Sequence, residues 1–427
     1  MSAGTLRVGL AGLGTVGCGV VRILAERAPL IAARAGRPIE VVAVSARSRS
    51  RPRPVDIGVY DWVDDPVALA AHPSVDVLVE AVGGSDGPAK AAACRAIELG
   101  RHVVTANKAL LAHHGATLAG AAEAAAVALR FEAAVAGGVP IVKALGEGLA
   151  ANRLTRVYGV LNGTCNYILT DMAKTGRDYS AVLAEAQAKG YAEADPSFDV
   201  GGVDAAHKLT LLASLAFGCA VDFDGVSVEG IEQVSLADIR CAEELGYRIK
   251  LLGVARRDGA AVERAVRPCL VRADSAIGQL DGVTNAVVCE GDFVGQIVCE
   301  GPGAGEGPTA SAIVADLVDI ARGARAPAFG VPAATLTPAE PAHRPAPFYL
   351  RFRLADRPGA LAEVARDLGE EGVSIRSMRQ HDEADGAADV LIVTHACDRA
   401  ALDRALARVA DSPVSRAAPV ALRIEEV

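Results

Sequence analysis

The glycine motif near the N-terminus constrains the fold of this chain more than any other stretch of its sequence. Gly12, Gly14 and Gly17 form the pattern G-x-G-x-x-G between the apolar stretch "LRVGLAGLG" and the helical stretch "TVGCGVVRILAERA". The first glycine permits a tight turn, the second lets backbone approach a pyrophosphate, and the third lets helix and strand pack closely. The amides of Thr15 and Val16 would then face an anion at the helix N-terminus. The motif predicts a dinucleotide-binding βαβ unit, the alternative being a glycine-rich turn without a ligand.

Strand and helix patterns alternate through the first 131 residues. "IEVVAVS", "VDVLVEAVGG" and "RHVVTANK" are typical of buried strands, and "GPAKAAACRAIELG" is typical of a helix. This order predicts an α/β fold with a doubly wound, Rossmann-type parallel sheet. From about Glu132 the pattern changes to glycine-punctuated turns, the strand "RLTRVYGVL" and several helices, which indicates an inserted α+β domain. The late helix "TASAIVADLVDIARG" is expected to return to the first domain.

A proline-rich segment separates the last part of the chain from the rest. Residues 324–347 contain six prolines and no hydrophobic period, which predicts a semi-rigid linker. Beyond it, the order strand, helix, strand, strand, helix, strand (βαββαβ) predicts a separate small α/β sandwich. The predicted domains are residues 1–131 (completed by about 300–323), 132–299 and 348–427.

Composition and charge argue against several classes of protein. The chain is 51% hydrophobic and carries a formal net charge of −9, with no block of like charges beyond a short arginine run near residue 50. A nucleic-acid partner is therefore not expected. The most apolar run is shorter than a membrane span, the start shows no signal-peptide organisation, and the nine cysteines include no C-x-x-C pair. We predict a cytoplasmic protein with reduced thiols and no membrane partner.

The end of the second predicted strand bears on the choice of dinucleotide. An NAD site usually has Asp or Glu there to bind the ribose hydroxyls, whereas this strand ends in "VSARSRSR" without an acid. A guanidinium can bind a 2′-phosphate through two hydrogen bonds, and a carboxylate would repel it. The sequence therefore predicts NADP as the cofactor, with NAD as the alternative, and Arg47 as the phosphate contact. A solvated basic loop is the other interpretation of these arginines.

Several stretches, in order along the chain, resemble homoserine dehydrogenase. They are "GLAGLGTVG", "VVTANKALLA", "FEAAVAGGVPIV", "LNGTCNYIL", "KGYAEADPSFDVGGVDAAHKL" and "GPGAGEGPTASAIVADL", and they span residues 6 to about 323. The C-terminal stretches "LADRPGALAEVA" and "EEGVSIRSM" resemble an ACT domain. The resemblance implies the monofunctional form of the enzyme, which reduces L-aspartate 4-semialdehyde to L-homoserine with NAD(P)H in threonine, methionine and isoleucine biosynthesis.

A lysine and an aspartate on one predicted helix form the candidate catalytic pair. Asp204 and Lys208 lie four positions apart, so both project from one face, while Leu209, Leu212 and Leu215 give the helix an apolar stripe. Alone, such a pair is usually a solvated salt bridge. The resemblance makes Lys208 the catalytic lysine and Asp204 its partner. Burial lowers the pKa of a lysine while a nearby carboxylate keeps it protonated, which suits a proton donor to an alkoxide.

The resemblance also implies which residues surround that pair. The contacts to the substrate fall on Thr164, Gly190, Glu193, Asp199 and Asp204. The acid-rich part of this set has a second interpretation, as a charged loop that caps the helix. Lys108 falls between cofactor and substrate, where it shares the proton transfer, and Gly305 falls beside the nicotinamide, where a glycine lets backbone approach closely.

A cation site and a regulatory site are implied in the same way. A sodium-type structural cation would be bound by oxygen atoms only, from Glu132 and the carbonyls of Val135, Gly137 and Val139. A glycine-rich turn is the alternative there. The ACT-like domain implies threonine as an effector, or else a dimerisation module without a ligand, and the chain is expected to form a homodimer or homotetramer.

Two rival functions come from other classes. A phosphorylating semialdehyde dehydrogenase would use a cysteine thiolate with a histidine base, and Cys165 is the cysteine near the presumptive site. A non-catalytic sensor would bind a nucleotide and an amino acid without turnover, which would leave Lys208 and the acid cluster unexplained.

Overall fold

The first part of the chain folds into a parallel sheet covered by helices. The computed structural model describes residues 4–382 and 386–427. The strands are β1 (Leu6–Ala11), β2 (Ile39–Ser45), β3 (Asp61–Trp62), β4 (Val77–Glu80), β5 (His102–Thr105) and β6 (Leu129–Arg130). The helices are α1 (Thr15–Glu26), α2 (Ala28–Ala35), α3 (Pro66–Ala70), α4 (Pro88–Glu98) and α5 (Lys108–Ala124). The strand order β3-β2-β1-β4-β5-β6 is parallel throughout, so the predicted doubly wound sheet is confirmed.

The middle of the chain builds one side of a second, larger sheet. Its helices are α6 (Ile141–Lys143), α7 (Gly163–Thr175), α8 (Tyr179–Ala188), α9 (Ser197–Val200), α10 (Val203–Phe217), α11 (Leu236–Glu244) and α12 (Glu306–Ala321). Its strands are β7 (Leu154–Val160), β8 (Ser227–Val228), β9 (Tyr247–Asp258), β10 (Ala261–Arg272), β11 (Thr284–Gly291) and β12 (Gly295–Pro302). Helix α12 packs against α1, where Gly19 lies close to Ala310.

The proline-rich segment is docked on the first and the middle parts of the protein. Phe329 is buried and its ring lies 5.3 Å from that of Phe131. The Thr337 carbonyl accepts the Ala220 N–H, and the short strand β13 (Glu340–Pro341) pairs with β10. The linker therefore has fixed contacts along its length.

The C-terminal part has the predicted βαββαβ order, but its sheet is not separate. Its elements are β14 (Phe348–Ala355), α13 (Ala360–Glu370), β15 (Ile375–Asp382), β16 (Ala387–Thr394), α14 (Arg399–Asp411) and β17 (Val420–Ile424). Strand β17 pairs with β10, which makes one eleven-stranded sheet with the order β12-β11-β7-β9-β10-β17-β14-β16-β15 on its main path. An unpaired strand edge is a template for another strand, and β17 pairs with the edge of β10 that would otherwise be open here.

Helix α10 is buried on every side. Asp204 to Leu215 are all buried, because α5, β7, β9 and β10 surround the helix. The predicted apolar stripe of Leu209, Leu212 and Leu215 is buried, and the other faces of the helix are buried as well. Its polar residues lie inside the protein and need partners there. In the part of the chain that the structure describes, no helix is both long enough and apolar enough to cross a membrane.

Candidate active site

A cleft of about 670 Å³ lies where the carboxyl ends of the parallel strands meet the N-terminal ends of α7 and α10. This is the side of a doubly wound sheet where ligands bind. The cleft brings together residues that the sequence scatters over nearly three hundred positions. The predicted site residues that line it are Val16, Lys108, Gly137, Thr164, Gly190, Glu193, Asp199, Asp204, Lys208 and Gly305.

The glycine motif has the geometry of a phosphate cradle. Gly12 has φ +101°, and a Cβ there would lie 2.3 Å from the Ala81 carbonyl oxygen. A Cβ on Gly17 would lie 1.9 Å from the Gly12 oxygen, whereas nothing lies within 4 Å of one on Gly14. Helix α1 begins after Gly14 without a side-chain cap or an acidic residue in its first turn. Its N-terminal amides, including those of Thr15 and Val16, are therefore free to bind an anion, and the cradle fits a dinucleotide.

Asp204 lies between two lysines at the base of the cleft. Its Oδ2 accepts from the Lys208 Nζ at 2.8 Å, and its Oδ1 lies 2.7 Å from the Lys108 Nζ. Lys208 also donates to the Leu161 carbonyl at 2.7 Å. Asp204 and Lys208 are 4% and 8% exposed, so they do not form a solvated surface pair. An ammonium has three N–H groups, and two of those on Lys208 are used.

The two lysines differ in acidity because they differ in burial. Burial lowers the pKa of Lys208, and the positive charge of Lys108 adds to this, although Asp204 acts in the opposite direction. Burial also acts to lower the pKa of Lys108, but Asp204 outweighs it and the net shift is upward. Burial disfavours the Asp204 carboxylate, but the two lysines hold its pKa well below the usual range. Lys208 is therefore the more acidic of the two ammonium groups.

Asn162 is a site residue that sequence reasoning missed. It follows β7 and caps α7, where its Oδ1 accepts the Cys165 N–H at 2.8 Å. Its amide nitrogen donates to Asp199 at 2.8 Å and to Asp204 at 2.9 Å. The asparagine of "LNGTC", directly after a strand and before a helix, is the available signal, because Asn is a preferred N-cap residue.

The remaining predicted substrate contacts lie at the rim of the cleft. The Thr164 hydroxyl donates to the Tyr191 carbonyl at 2.7 Å, so its oxygen stays available as an acceptor. Gly190 ends helix α8 with φ +74°, and Glu193 is exposed. Phe198 lies over Lys108, with the Nζ 6.0 Å from the ring centre.

The arginine loop after β2 is held in place by Arg53, a residue that sequence reasoning also missed. Arg53 donates to the carbonyls of Leu13, Ser48, Arg49 and Arg51, and so ties the loop to the glycine motif. Arg47 is exposed and forms no hydrogen bond or ion pair with any residue between 4 and 382 or beyond 385. Its guanidinium is thus free for a ligand, whereas that of Arg53 is committed to backbone.

The predicted cation ligands lie together in one turn, and two of them, Glu132 and Val139, already accept hydrogen bonds. Both carboxylate oxygens of Glu132 accept backbone N–H groups, from Val142 and Lys143, at 2.9 Å each. Burial and the nearby Asp316 carboxylate raise the pKa of Glu132 to about 7. Val139 O accepts the Ile141 N–H at 2.8 Å. Among the described residues no group of three His, Cys, Asp or Glu side chains could hold a metal, so a cation here would rely on backbone carbonyls, such as those of Val135 and Gly137.

Cys165 does not have the surroundings of a nucleophile. It is fully buried, and its thiol donates to the Asp199 carbonyl at 3.2 Å. Burial and the carboxylates of Asp199 and Asp204 raise the pKa of this thiol well above its ordinary value. A thiolate is therefore disfavoured, which argues against the rival phosphorylating dehydrogenase.

The whole chain has similar counterparts among known proteins. The sequence model described as homoserine dehydrogenase matches residues 140–318, that of the homoserine dehydrogenase NAD binding domain matches 12–132, and that of the ACT domain matches 348–413. The homoserine dehydrogenase of Pseudomonas aeruginosa is 45% identical, over 99% of both chains. A crystal structure of a homoserine dehydrogenase from Thiobacillus denitrificans is 42% identical, with a TM-score of 0.94 over 99% of this chain and 98% of the other. A hyperthermophilic archaeal homoserine dehydrogenase in complex with NADPH is 25% identical, with a TM-score of 0.64 over 74% of this chain and 97% of the other.

Proposed function

The chain belongs to the homoserine dehydrogenase family, and from this premise we propose how its own residues reduce L-aspartate 4-semialdehyde to L-homoserine. It is an NAD(P)-dependent oxidoreductase of threonine, methionine and isoleucine biosynthesis. One observation carries the assignment of roles. Lys208, Asp204 and Lys108 form a continuous charged chain at the base of the cleft that the glycine cradle opens into.

Lys208 is the proton donor in this proposal. A reduced nicotinamide, when bound, supplies the hydride to the aldehyde carbon, and the aldehyde oxygen then develops negative charge. The free N–H of Lys208 stabilises that oxygen and transfers its proton to it, which leaves a neutral amine and the alcohol of homoserine. Asp204 holds the ammonium in place, and Lys108, on the other oxygen of Asp204, lies where it can assist reprotonation.

The amino-acid end of the substrate is bound by the acids and the glycine at the rim. Its α-ammonium group pairs with Asp199 and Glu193, which line the cleft and form no ion pair with any described residue. The Thr164 oxygen accepts from the substrate, and Gly190 leaves backbone open to it. Gly305, at the start of α12, lets backbone lie against the nicotinamide.

The direct test of the proposed function is to measure NADPH oxidation and L-homoserine formation in the same reaction. The purified chain should oxidise NADPH only when L-aspartate 4-semialdehyde is present, and should form L-homoserine in equal amount. It should not need phosphate, whereas a phosphorylating dehydrogenase would use phosphate to oxidise the same aldehyde and would reduce NADP+ instead. NADPH binding without homoserine formation would leave the sensor interpretation instead.

We also propose that NADP(H) is preferred to NAD(H) through Arg47. Exchange of Arg47 for Asp should lower the NADPH:NADH ratio of kcat/KM by about tenfold to a hundredfold, because one charge-assisted contact is replaced by repulsion. Steady-state kinetics with both cofactors measure this ratio. The matched control is Arg51→Asp, and an unchanged ratio in Arg47→Asp would remove Arg47 from the site.

A structural cation of the sodium type is proposed for the turn that contains Glu132, Val135, Gly137 and Val139. Its support is the left-handed backbone at Ala136 and Gly137, with φ +55° and +47°, in a turn whose carbonyl oxygens are the ligand type that a hard cation prefers. The cation would stiffen the turn beside the cleft and take no part in the proton transfer.

The cytoplasmic location and the homodimer or homotetramer also stay predictions.

Threonine is proposed as the effector of the ACT domain. This domain contacts the substrate domain through Arg351, whose guanidinium binds both oxygens of the buried Asp238, at 2.6 and 3.2 Å. Asp238 lies at the start of α11, and just before it the Ile231 N–H donates to the Val200 carbonyl, beside Asp199. A ligand that favours one position of the ACT domain can thus change the substrate site.

Millimolar threonine should therefore inhibit the wild type, and Arg351→Met should weaken that inhibition about fivefold or more, because a typical coupling energy is about 1–3 kcal/mol. Inhibition curves at fixed substrate give the half-inhibitory concentrations. Arg399→Met, which removes an exposed pair with Asp403, is the matched control. A wild type that neither binds threonine nor slows in its presence would leave the ACT domain as a scaffold.

Cys165→Ala should keep kcat within about threefold of the wild-type value, because the thiol is a buried small group and not a nucleophile. The same NADPH assay measures this. Its thermal unfolding should be recorded alongside, since a small cavity is created. A thousandfold loss of turnover in a folded variant would instead support Cys165 as the nucleophile of a phosphorylating dehydrogenase.

A further inference from the structure

Asn162 occupies the space between two carboxylates that would otherwise repel each other. It is 3% exposed, and its position at the N-cap of α7 fixes which way the amide points. The Oδ1 faces the Cys165 N–H, so the amide nitrogen must face the other way, toward Asp199 and Asp204. The opposite orientation would put a carbonyl oxygen against two carboxylates.

The two carboxylates have different partners. Asp204 has both lysines, one on each oxygen. Asp199 accepts one side-chain hydrogen bond, from Asn162, and forms no ion pair with any residue in the described ranges 4–382 and 386–427. Its second oxygen is therefore available to a cation from the cleft that it lines.

We propose that Asn162 is a positioning residue for the reaction: its two N–H groups hold Asp199 and Asp204 side by side as carboxylates, and so reserve Asp199 for the ammonium group of the substrate. This rests on the proposed function, because it takes the substrate to be an amino acid with an α-ammonium group. A lysine or arginine at position 162 would neutralise Asp199 and compete with the substrate. A neutral amide donates a hydrogen bond to each acid without supplying a counter-ion.

The titration of Asp199 gives the proposal its readout. Burial and the neighbouring Asp204 raise the pKa of Asp199, and the Asn162 hydrogen bond opposes this together with Lys208 and Lys108. Asp204, Lys208, Lys108 and the Cys165 thiol are the titratable groups that interact with it. Loss of the amide removes a donor to the charged form, so Asp199 must then take up a proton at higher pH. A protonated Asp199 cannot pair with an ammonium group, and substrate binding weakens as the pH falls.

The test is the exchange of Asn162 for Ser. A serine keeps an N-cap acceptor for the Cys165 N–H but is too short to reach both acids. KM for the semialdehyde should rise about tenfold to a hundredfold, while kcat stays within about fivefold, because ground-state binding is lost and Asp204 keeps both lysines. The acid limb of the kcat/KM profile should move up by about one pH unit. The dissociation constant of NADPH, followed by the fluorescence of Trp62, the single tryptophan, should stay within about twofold.

Asn162→Asp is the second variant, which keeps the size of the side chain and the cap acceptor, loses both donors and adds a charge. It should raise KM further and move the acid limb further than Ser does. If kcat fell by the same factor by which KM rose, and the acid limb did not move in either variant, Asn162 would only cap the helix. An unchanged KM would overturn the proposal outright. These outcomes differ from failure of the proposed function, in which the wild type itself makes no homoserine and the role of Asn162 falls with it.

Discussion

Replacement of Lys208 by Met is expected to lower kcat for aldehyde reduction by about 10²- to 10⁴-fold, which is the usual contribution of a positioned general acid. Methionine preserves most of the volume of the lysine stem inside α10, so packing is retained. The developing alkoxide then has no proton donor beside it, since the Lys108 ammonium is held on the other oxygen of Asp204. Saturating NADPH and semialdehyde in a steady-state assay give kcat directly, and the dissociation constant of NADPH should stay near the wild-type value.

A second buried lysine gives the matched control. Lys250 is 2% exposed and donates to the Asn166 amide oxygen and the Leu280 carbonyl, away from the cleft, and burial lowers its pKa to about 8. Lys250→Met should keep kcat, because it removes an ammonium of similar burial that does not face the cleft. If Lys208→Met kept its kcat within about tenfold while Lys108→Met lost it, Lys108 would be the proton donor instead.

Exchange of Asp204 for Asn is expected to affect both catalysis and stability. The variant leaves two ammonium groups without their shared counter-charge in a buried site, and breaking a buried pair in this way costs about 3–5 kcal/mol in the free energy of unfolding. Without Asp204 the pKa of Lys208 falls further, so less of the protonated donor is present at neutral pH. We expect kcat at neutral pH to fall by about 10²-fold or more.

The pH dependence of this variant has a definite sign. A reaction that needs protonated Lys208 slows as the pH rises through the pKa of that group. Since the variant lowers this pKa, its alkaline limb moves to lower pH, and part of the lost activity returns on acidification. The wild-type carboxyl has a depressed pKa in the folded state, so its contribution to stability is present above its unfolded pKa and is lost as the pH falls toward the folded value.

Denaturant unfolding at neutral and acid pH should therefore show a stability gap between wild type and Asp204→Asn that narrows on acidification. Asp238→Asn is the control for a buried, ion-paired aspartate outside the cleft. It should lose stability of the same order while its basal kcat stays near that of the wild type. An alkaline limb that does not move in Asp204→Asn would separate Asp204 from the proton donor.

The sequence by itself determined the parts of this protein that depend on local pattern. The glycine spacing predicted the cradle because Gly12 and Gly17 meet short-range steric requirements, as the close backbone approaches at both residues show. The alternation of strand and helix patterns predicted the parallel sheet, and the βαββαβ order predicted the C-terminal module. The resemblance added the candidate site residues, ten of which line one cleft in the structure.

Only the tertiary structure decided which polar groups lie inside. Asp204 and Lys208 have the spacing of a surface pair, and their burial follows from the elements that enclose α10 on all sides. The contact of Lys108 with Asp204, the two hydrogen bonds of Asn162 and the junction of β17 with β10 join residues far apart in sequence. Periodicity records the geometry of one element at a time. The burial of a charge, and hence its pKa and chemistry, depends on every element that packs around it.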